Sequence, residues 1–111
     1  MENEQWLRAA NIQEAIKDSV YLILQTHVNE RVMKPEFGSH LRDYLFENLN
    51  VETQAMIRRD VIASLGRWEP RISDIEVMME QKDEYLYVNV SYRINCLNQS
   101  DQLDIPFLAA S

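Results

Sequence analysis

Glycine, proline and cysteine are scarce in this chain: its 111 residues hold 2, 3 and 1 of them. So few glycines, none at the spacing a phosphate-cradling loop requires, leave nucleotide binding without support. The lone Cys96 excludes an internal disulfide and points to a reducing compartment, where its thiol is read as a small strand residue. Basic charge is outnumbered, 11 Lys and Arg against 18 Asp and Glu for a net charge of -7. A surface built to neutralise phosphates is therefore not expected, and nucleic acid is not an expected partner. No apolar run approaches membrane-spanning length, and the start M-E-N-E-Q-W has neither the basic nor the apolar part of a signal peptide. A soluble protein without a membrane partner is the expectation.

Reactive constellations are missing as well. His27 and His40 are far apart in sequence and show no H-E-x-x-H spacing, so no metal site is expected. There is no G-x-S-x-G elbow, and Cys96 has no evident histidine partner. Glu30, Glu36 and Glu69 each stand beside a cation, Arg31, Lys34 or Arg71, which would keep a carboxylate ionised and unsuited to donate a proton at neutral pH. No catalytic residue and no cofactor is expected.

What is present is a set of amphipathic segments in a clear order, within a length that suits one domain, 1–111, ordered from about Asn11 to Leu108. Asn11 and Glu14 look like a helix start, and Ile12, Ala15, Ile16, Val20, Ile23 and Leu24 share a face up to Gln25. Thr26 to Gly38 has no regular period and is expected as an irregular connection, with Asn29 in a left-handed turn; loops of this length are more often functional than idle. Ser39 can cap a short helix bearing Leu41, Tyr44, Leu45 and Leu49. Asn50 can cap a third, with Val51, Ile57, Val61, Leu65 and Trp68 inward, Arg59, Asp60 and Arg67 in water, and Arg58 at the edge of the stripe.

Pro70 should end that helix near Trp68 or Glu69. Glu69 and Arg71 flank the proline, so the corner is either a joint fixed by a bidentate ion pair or a solvated turn with two ordinary surface charges. Alternation then marks a strand over Ile75–Glu80, a polar loop over Gln81–Glu84, and a second strand over Leu86–Ile94, with Val77 expected opposite Val88. Leu97–Asp101 reads as a turn before a third strand around Leu103–Phe107, which Pro106 consigns to a sheet edge. The expected class is α+β, three N-terminal helices packed on a three-stranded antiparallel meander.

Four motifs in sequence, E-R-V-M-K-P-E-F-G (Glu30–Gly38), L-R-D-Y-L-F-E (Leu41–Glu47), I-R-R-D-V (Ile57–Val61) and R-W-E-P-R-I (Arg67–Ile72), resemble the baseplate wedge family of contractile phage tails. That family is also labelled lysozyme-like and has relatives in tailocins, contractile injection particles and type VI secretion. The resemblance covers about Ile12 to Leu108. Asn29 stands where the family usually has glycine, a change its left-handed backbone tolerates. The resemblance implies a structural, non-enzymatic wedge component in a tail baseplate, present in several copies and assembled in the bacterial cytoplasm. Its implied partners are other wedge subunits and the first sheath ring, the latter engaged by strand addition at an edge of the meander. Glu69, Pro70, Arg71, Glu30, Arg31, Arg58 and Trp68 are the expected partner-binding residues. The rival readings are a cell-wall muramidase of the tail and an unrelated cytoplasmic adaptor.

Overall fold

A computed structural model describes residues 2–31, 33–45 and 49–108, with residues 2–5 as backbone only. Val32 of the E-R-V-M motif and Phe46, Glu47 and Asn48 of the second helical motif lie outside the described residues. Three helices, α1 (Glu2–Gln25), α2 (Leu41–Leu45) and α3 (Val51–Trp68), precede three strands, β1 (Ile72–Lys82), β2 (Tyr85–Ile94) and β3 (Gln99–Leu108). The strands form an antiparallel meander in the order β1-β2-β3, so the class is α+β as expected.

Helix α1 begins nine residues before the expected Asn11. The preceding Glu, Gln, Leu, Arg and Ala residues are good helix formers, and nothing among them breaks a helix. Ile16, Val20, Ile23 and Leu24 are buried, but Ala15, expected on the same face, is exposed. In α3 the Asn50 side chain accepts the Thr53 N–H at 2.9 Å, a true N-cap, and Ile57, Val61 and Leu65 are fully buried. Val51, expected inward, is exposed, and Thr53 is the first buried residue of α3. Asp60 is not free in water either: its carboxylate accepts the His40 backbone N–H at 3.1 and 3.3 Å.

The sheet is longer than its alternation suggests. Strands β1 and β2 meet through a two-residue turn, with Asp83 at φ 57°, so Val77 pairs with Val90 and Met79 with Val88. The expected pairing of Val77 with Val88 is two residues off and leaves the faces unchanged, since side chains alternate with period two. A bulge between Ser73 and Glu76, with Asp74 at φ 50°, adds one residue to β1. The β2–β3 turn spans residues 95–98, and Cys96 lies in it, exposed, rather than in a strand. Leu86, Val88, Val90, Tyr92, Ile94, Ile105 and Phe107 face the helices and form one core with α1 and α3.

Candidate partner-binding site

The corner between α3 and β1 is a built joint. Glu69 caps α3 through its N–H to the Leu65 carbonyl, 2.9 Å. Its carboxylate is 2% exposed and receives the Arg71 guanidinium in a fork, Nε to Oε1 and Nη2 to Oε2, both 2.7 Å. The Arg71 backbone N–H adds a bond to Oε1 at 3.2 Å. Burial pushes the Glu69 carboxyl up, but the bonds from Arg71 and the nearby Ser19 hydroxyl of α1 outweigh it and hold the group below its ordinary value. The Arg71 carbonyl accepts the Asn95 N–H at 3.0 Å, which ties the β2–β3 turn to the same point. Of the two readings the sequence leaves open, the bidentate joint is the one observed, and its carboxylate comes from the same chain.

Trp68 turns the other way, toward the loop. Phe37 meets its ring edge-on at 5.1 Å between centroids, while Arg67 and Lys34 lie over it at 4.9 and 5.9 Å. Arg31 stacks on Phe37 at 4.5 Å. The cations of the loop therefore sit on aromatic faces and not on the neighbouring carboxylates that adjacency suggests. Glu30 instead accepts from Arg42 of α2 at 3.1 Å. Planar guanidinium matches planar rings, and adjacent residues in a chain seldom face one another. Asn29 adopts φ 78°, the left-handed turn expected of it. Gly38, at φ 116°, is obligatory, since a Cβ there would collide with the Thr26 carbonyl oxygen.

Arg58 reaches β1: its Nε donates to the Val77 carbonyl at 3.1 Å. The two-residue turn closes on a hydrogen-bonded Lys82–Tyr85 pair, so Val77, Met79 and Gln81 turn their backbone groups away from β2. By the same alternation Ser100, Gln102, Asp104, Pro106 and Leu108 face outward on β3. There Pro106 has no N–H to offer, and the Gln102 N–H is taken by the Asp101 side chain at 2.9 Å. Among the described residues no strand pairs with either outer edge. Across the sheet face turned away from the helices runs a groove of about 650 Å³, lined chiefly by Met78, Glu80 and Lys82 of β1, Tyr87 and Asn89 of β2 and Asp104 of β3.

Of the seven residues expected to bind partners, the fold joins Glu69, Pro70 and Arg71 in the corner and links Trp68 to Arg31 through Phe37. Glu30 and Arg58 stand apart. Sequence reasoning missed Phe37 and the α2 side chains, because only the folded loop places them. It also missed that His27 and His40 meet. A parallel bridge between His27 and Ser39 closes the loop on itself, and Asp43 of α2 lies between the imidazoles, 2.9 Å from His27 Nε2 and 3.3 Å from His40 Nδ1. The bond to Asp43 raises the His27 pKa against its burial, and the same bond, chiefly, lowers that of Asp43.

The model of the family described as baseplate wedge protein gp25 matches residues 10–99. The chain belongs to the gp25 baseplate wedge family. Within that family it is 31% identical over 91 residues to baseplate wedge protein gp25 of Enterobacteria phage T4, covering 81% of this chain and 68% of the relative. A crystal structure from Geobacter sulfurreducens, provisionally described as a tail lysozyme, superposes with a TM-score of 0.82 at 32% identity, over 90% of this chain and 93% of that one. The postcontracted baseplate of pyocin R2 contains a chain with a TM-score of 0.59 and 28% identity, over 87% of this chain and 85% of that one. Family membership makes this a baseplate wedge protein of the phage-tail and tailocin kind, and the wedge relatives are structural proteins.

Proposed function

We propose that this chain is a non-enzymatic wedge component of a contractile baseplate. In that role it joins neighbouring wedge subunits around the tube and offers the platform on which the first sheath ring starts. The observation that carries the reading is the outer edge of β1. Met79 and Gln81 there direct backbone donors and acceptors outward, and a groove crosses the adjoining sheet face, where every second side chain of an added strand would lie. An extended segment added to such an edge gains affinity from main-chain bonds and specificity from the pockets. The donor strand is a terminal segment of the sheath subunit, and several copies of the chain, related by the particle's symmetry, present the same edge.

The loop supports the contacts between wedges. Arg31, Lys34 and Arg67 lie over rings at an exposed surface, and Arg and aromatic side chains are the usual anchors of protein interfaces. A tail muramidase is the competing activity, given the name of the Geobacter relative. Against it, the two carboxylates of the loop and corner are held by arginines, Glu69 by Arg71 and Glu30 by Arg42, and Asp60, which burial pushes up, is occupied by the His40 backbone N–H. A general acid needs the opposite, a carboxyl kept protonated by an apolar pocket.

Deleting the chain from a producing strain is expected to yield tubes without sheath, seen by negative-stain microscopy. Sheathed particles of normal length would overturn the platform role. Purified protein is expected to release no more peptidoglycan fragments than a Glu30→Gln, Glu69→Gln double variant. Hydrolysis that this double variant abolishes would promote the muramidase.

A further inference from the structure

We propose that His27, His40 and Asp43 form a binding site for a divalent transition metal of the zinc class, which clasps the irregular loop to α2. Each residue offers one ligand atom, and the three atoms lie within 4.8 Å of one another. His27 Nε2 is 2.9 Å from Asp43 Oδ1 and His40 Nδ1 is 3.3 Å from Oδ2, against roughly 3.4 Å for the edge of a tetrahedron with zinc bonds of about 2.1 Å, so a small rotation of the Asp43 carboxylate brings one oxygen into range of both rings. The His40 and Asp43 side chains are half exposed, so small rotations close the third separation.

Orientation argues more strongly than proximity. His27 Nδ1 lies 2.6 Å from the Val28 carbonyl oxygen, which can only accept, so the ring proton sits on Nδ1. In a neutral imidazole this leaves the Nε2 lone pair aimed at the Asp43 carboxylate 2.9 Å away, two acceptors face to face. A proton on Nε2, as in the His27–Asp43 hydrogen bond, or a metal ion that displaces it resolves the conflict. The arrangement is also the one metal-binding histidines usually adopt, with the far nitrogen donating to a backbone carbonyl that fixes the tautomer.

The backbone holds the other ligands in place. Ser39 N donates to the Thr26 carbonyl at 2.9 Å and Val28 N to the Ser39 carbonyl at 3.2 Å, which bring the His27 and His40 segments side by side. Asp60 of α3 anchors the His40 N–H, and the Asp43 N–H bonds the His40 carbonyl at 3.0 Å. Two imidazoles and one carboxylate leave a fourth position open to water, and imidazole nitrogen suits zinc, nickel and cobalt better than calcium or magnesium.

The test uses untagged full-length protein in a Cys96→Ser background, which removes the exposed thiol as a competing ligand. At pH 8, ZnCl2 titrated by calorimetry is expected to bind at one equivalent per chain and to raise Tm by several degrees, an effect EDTA reverses. Co2+ is expected to bind with visible d–d bands. His40→Gln and Asp43→Asn, both at half-exposed positions, are expected to weaken binding at least tenfold and to abolish the bands, while Glu84→Gln, exposed in the β1–β2 turn, leaves both unchanged. If either ligand variant loses its fold by circular dichroism, displacement of Co2+ by Zn2+, followed by histidine proton shifts in the unsubstituted protein, decides the matter. No binding at pH 8, or binding that survives His40→Gln and Asp43→Asn, would overturn the proposal.

Discussion

The corner at Glu69–Arg71 and the outer edge of β1 lie within a dozen residues of each other and differ in how their polar groups are spent. In the corner, the carboxylate of Glu69 receives three bonds from Arg71 alone, and the surrounding backbone is tied to Leu65 and Asn95. Along the β1 edge from Val77 to Gln81, the Val77 carbonyl alone is engaged among the described residues, by Arg58. A satisfied group has little left to give a partner, whereas an edge with free donors and acceptors is a template for another strand. The motif most conspicuous in the sequence is thus bonded within the fold, and the plainer strand beside it is the surface proposed for docking.

The largest effect that sharpens this contrast is expected from Arg71→Ala. It leaves the buried Glu69 carboxylate without its partner, and the loss is set at about 2 to 3 kcal/mol, the low end for a broken buried pair because the guanidinium is itself partly solvated. Urea unfolding measures it. A loss below about 0.5 kcal/mol would return the corner to the status of a solvated turn.

The same pair predicts a pH dependence. The Glu69 pKa is depressed in the folded chain, so its stabilisation is fully present above the unfolded carboxylate value of about 4.3 and disappears as pH falls through the lower folded value. The stability difference between the unsubstituted protein and Glu69→Gln is therefore expected to stay constant from pH 8 to about 5 and to shrink only below about 4. A difference that grew on acidification would contradict the assigned pairing.

Arg58→Ala comes next, expected to cost about 1 kcal/mol for one charge-assisted bond at a half-open site. It frees the Val77 carbonyl, so sheath attachment should be kept. The smallest change in stability is expected from Gln81→Pro. Its N–H points outward, so proline removes a donor from the edge and none from the β1–β2 ladder. Thermal unfolding should move by no more than a few degrees, while sheathed particles become rare. If Gln81→Pro particles are sheathed normally, the β1 edge is not the docking strand.

Much of the fold is legible in the sequence because its signals are local. Alternation marks all three strands, Pro70 stops α3 where expected, Asn50 caps it, and Pro106 sits on an edge strand. The misses share a cause. The two-residue pairing shift, the bulge at Asp74 and the place of Cys96 in a turn depend on how far strands extend past their apolar residues, which tertiary pairing decides. In the candidate site, the Glu69–Arg71 fork is readable because two residues suffice to build it. The ring stacking of Arg31 and Lys34, the Glu30–Arg42 pair and the meeting of His27 with His40 are not, since each joins a loop residue to one made near only by folding.

The claim that β1 receives the sheath is tested most directly by crosslinking in assembled particles. Single cysteines placed along Ile75–Glu80 and along Leu103–Leu108, in a Cys96→Ser background, are paired with cysteines in the terminal segments of the sheath subunit. Disulfides are expected along β1 and not along β3, where Pro106 and the Asp101-bound Gln102 blunt the edge. Crosslinks confined to β3, or to the helical face with neither strand reacting, would contradict it.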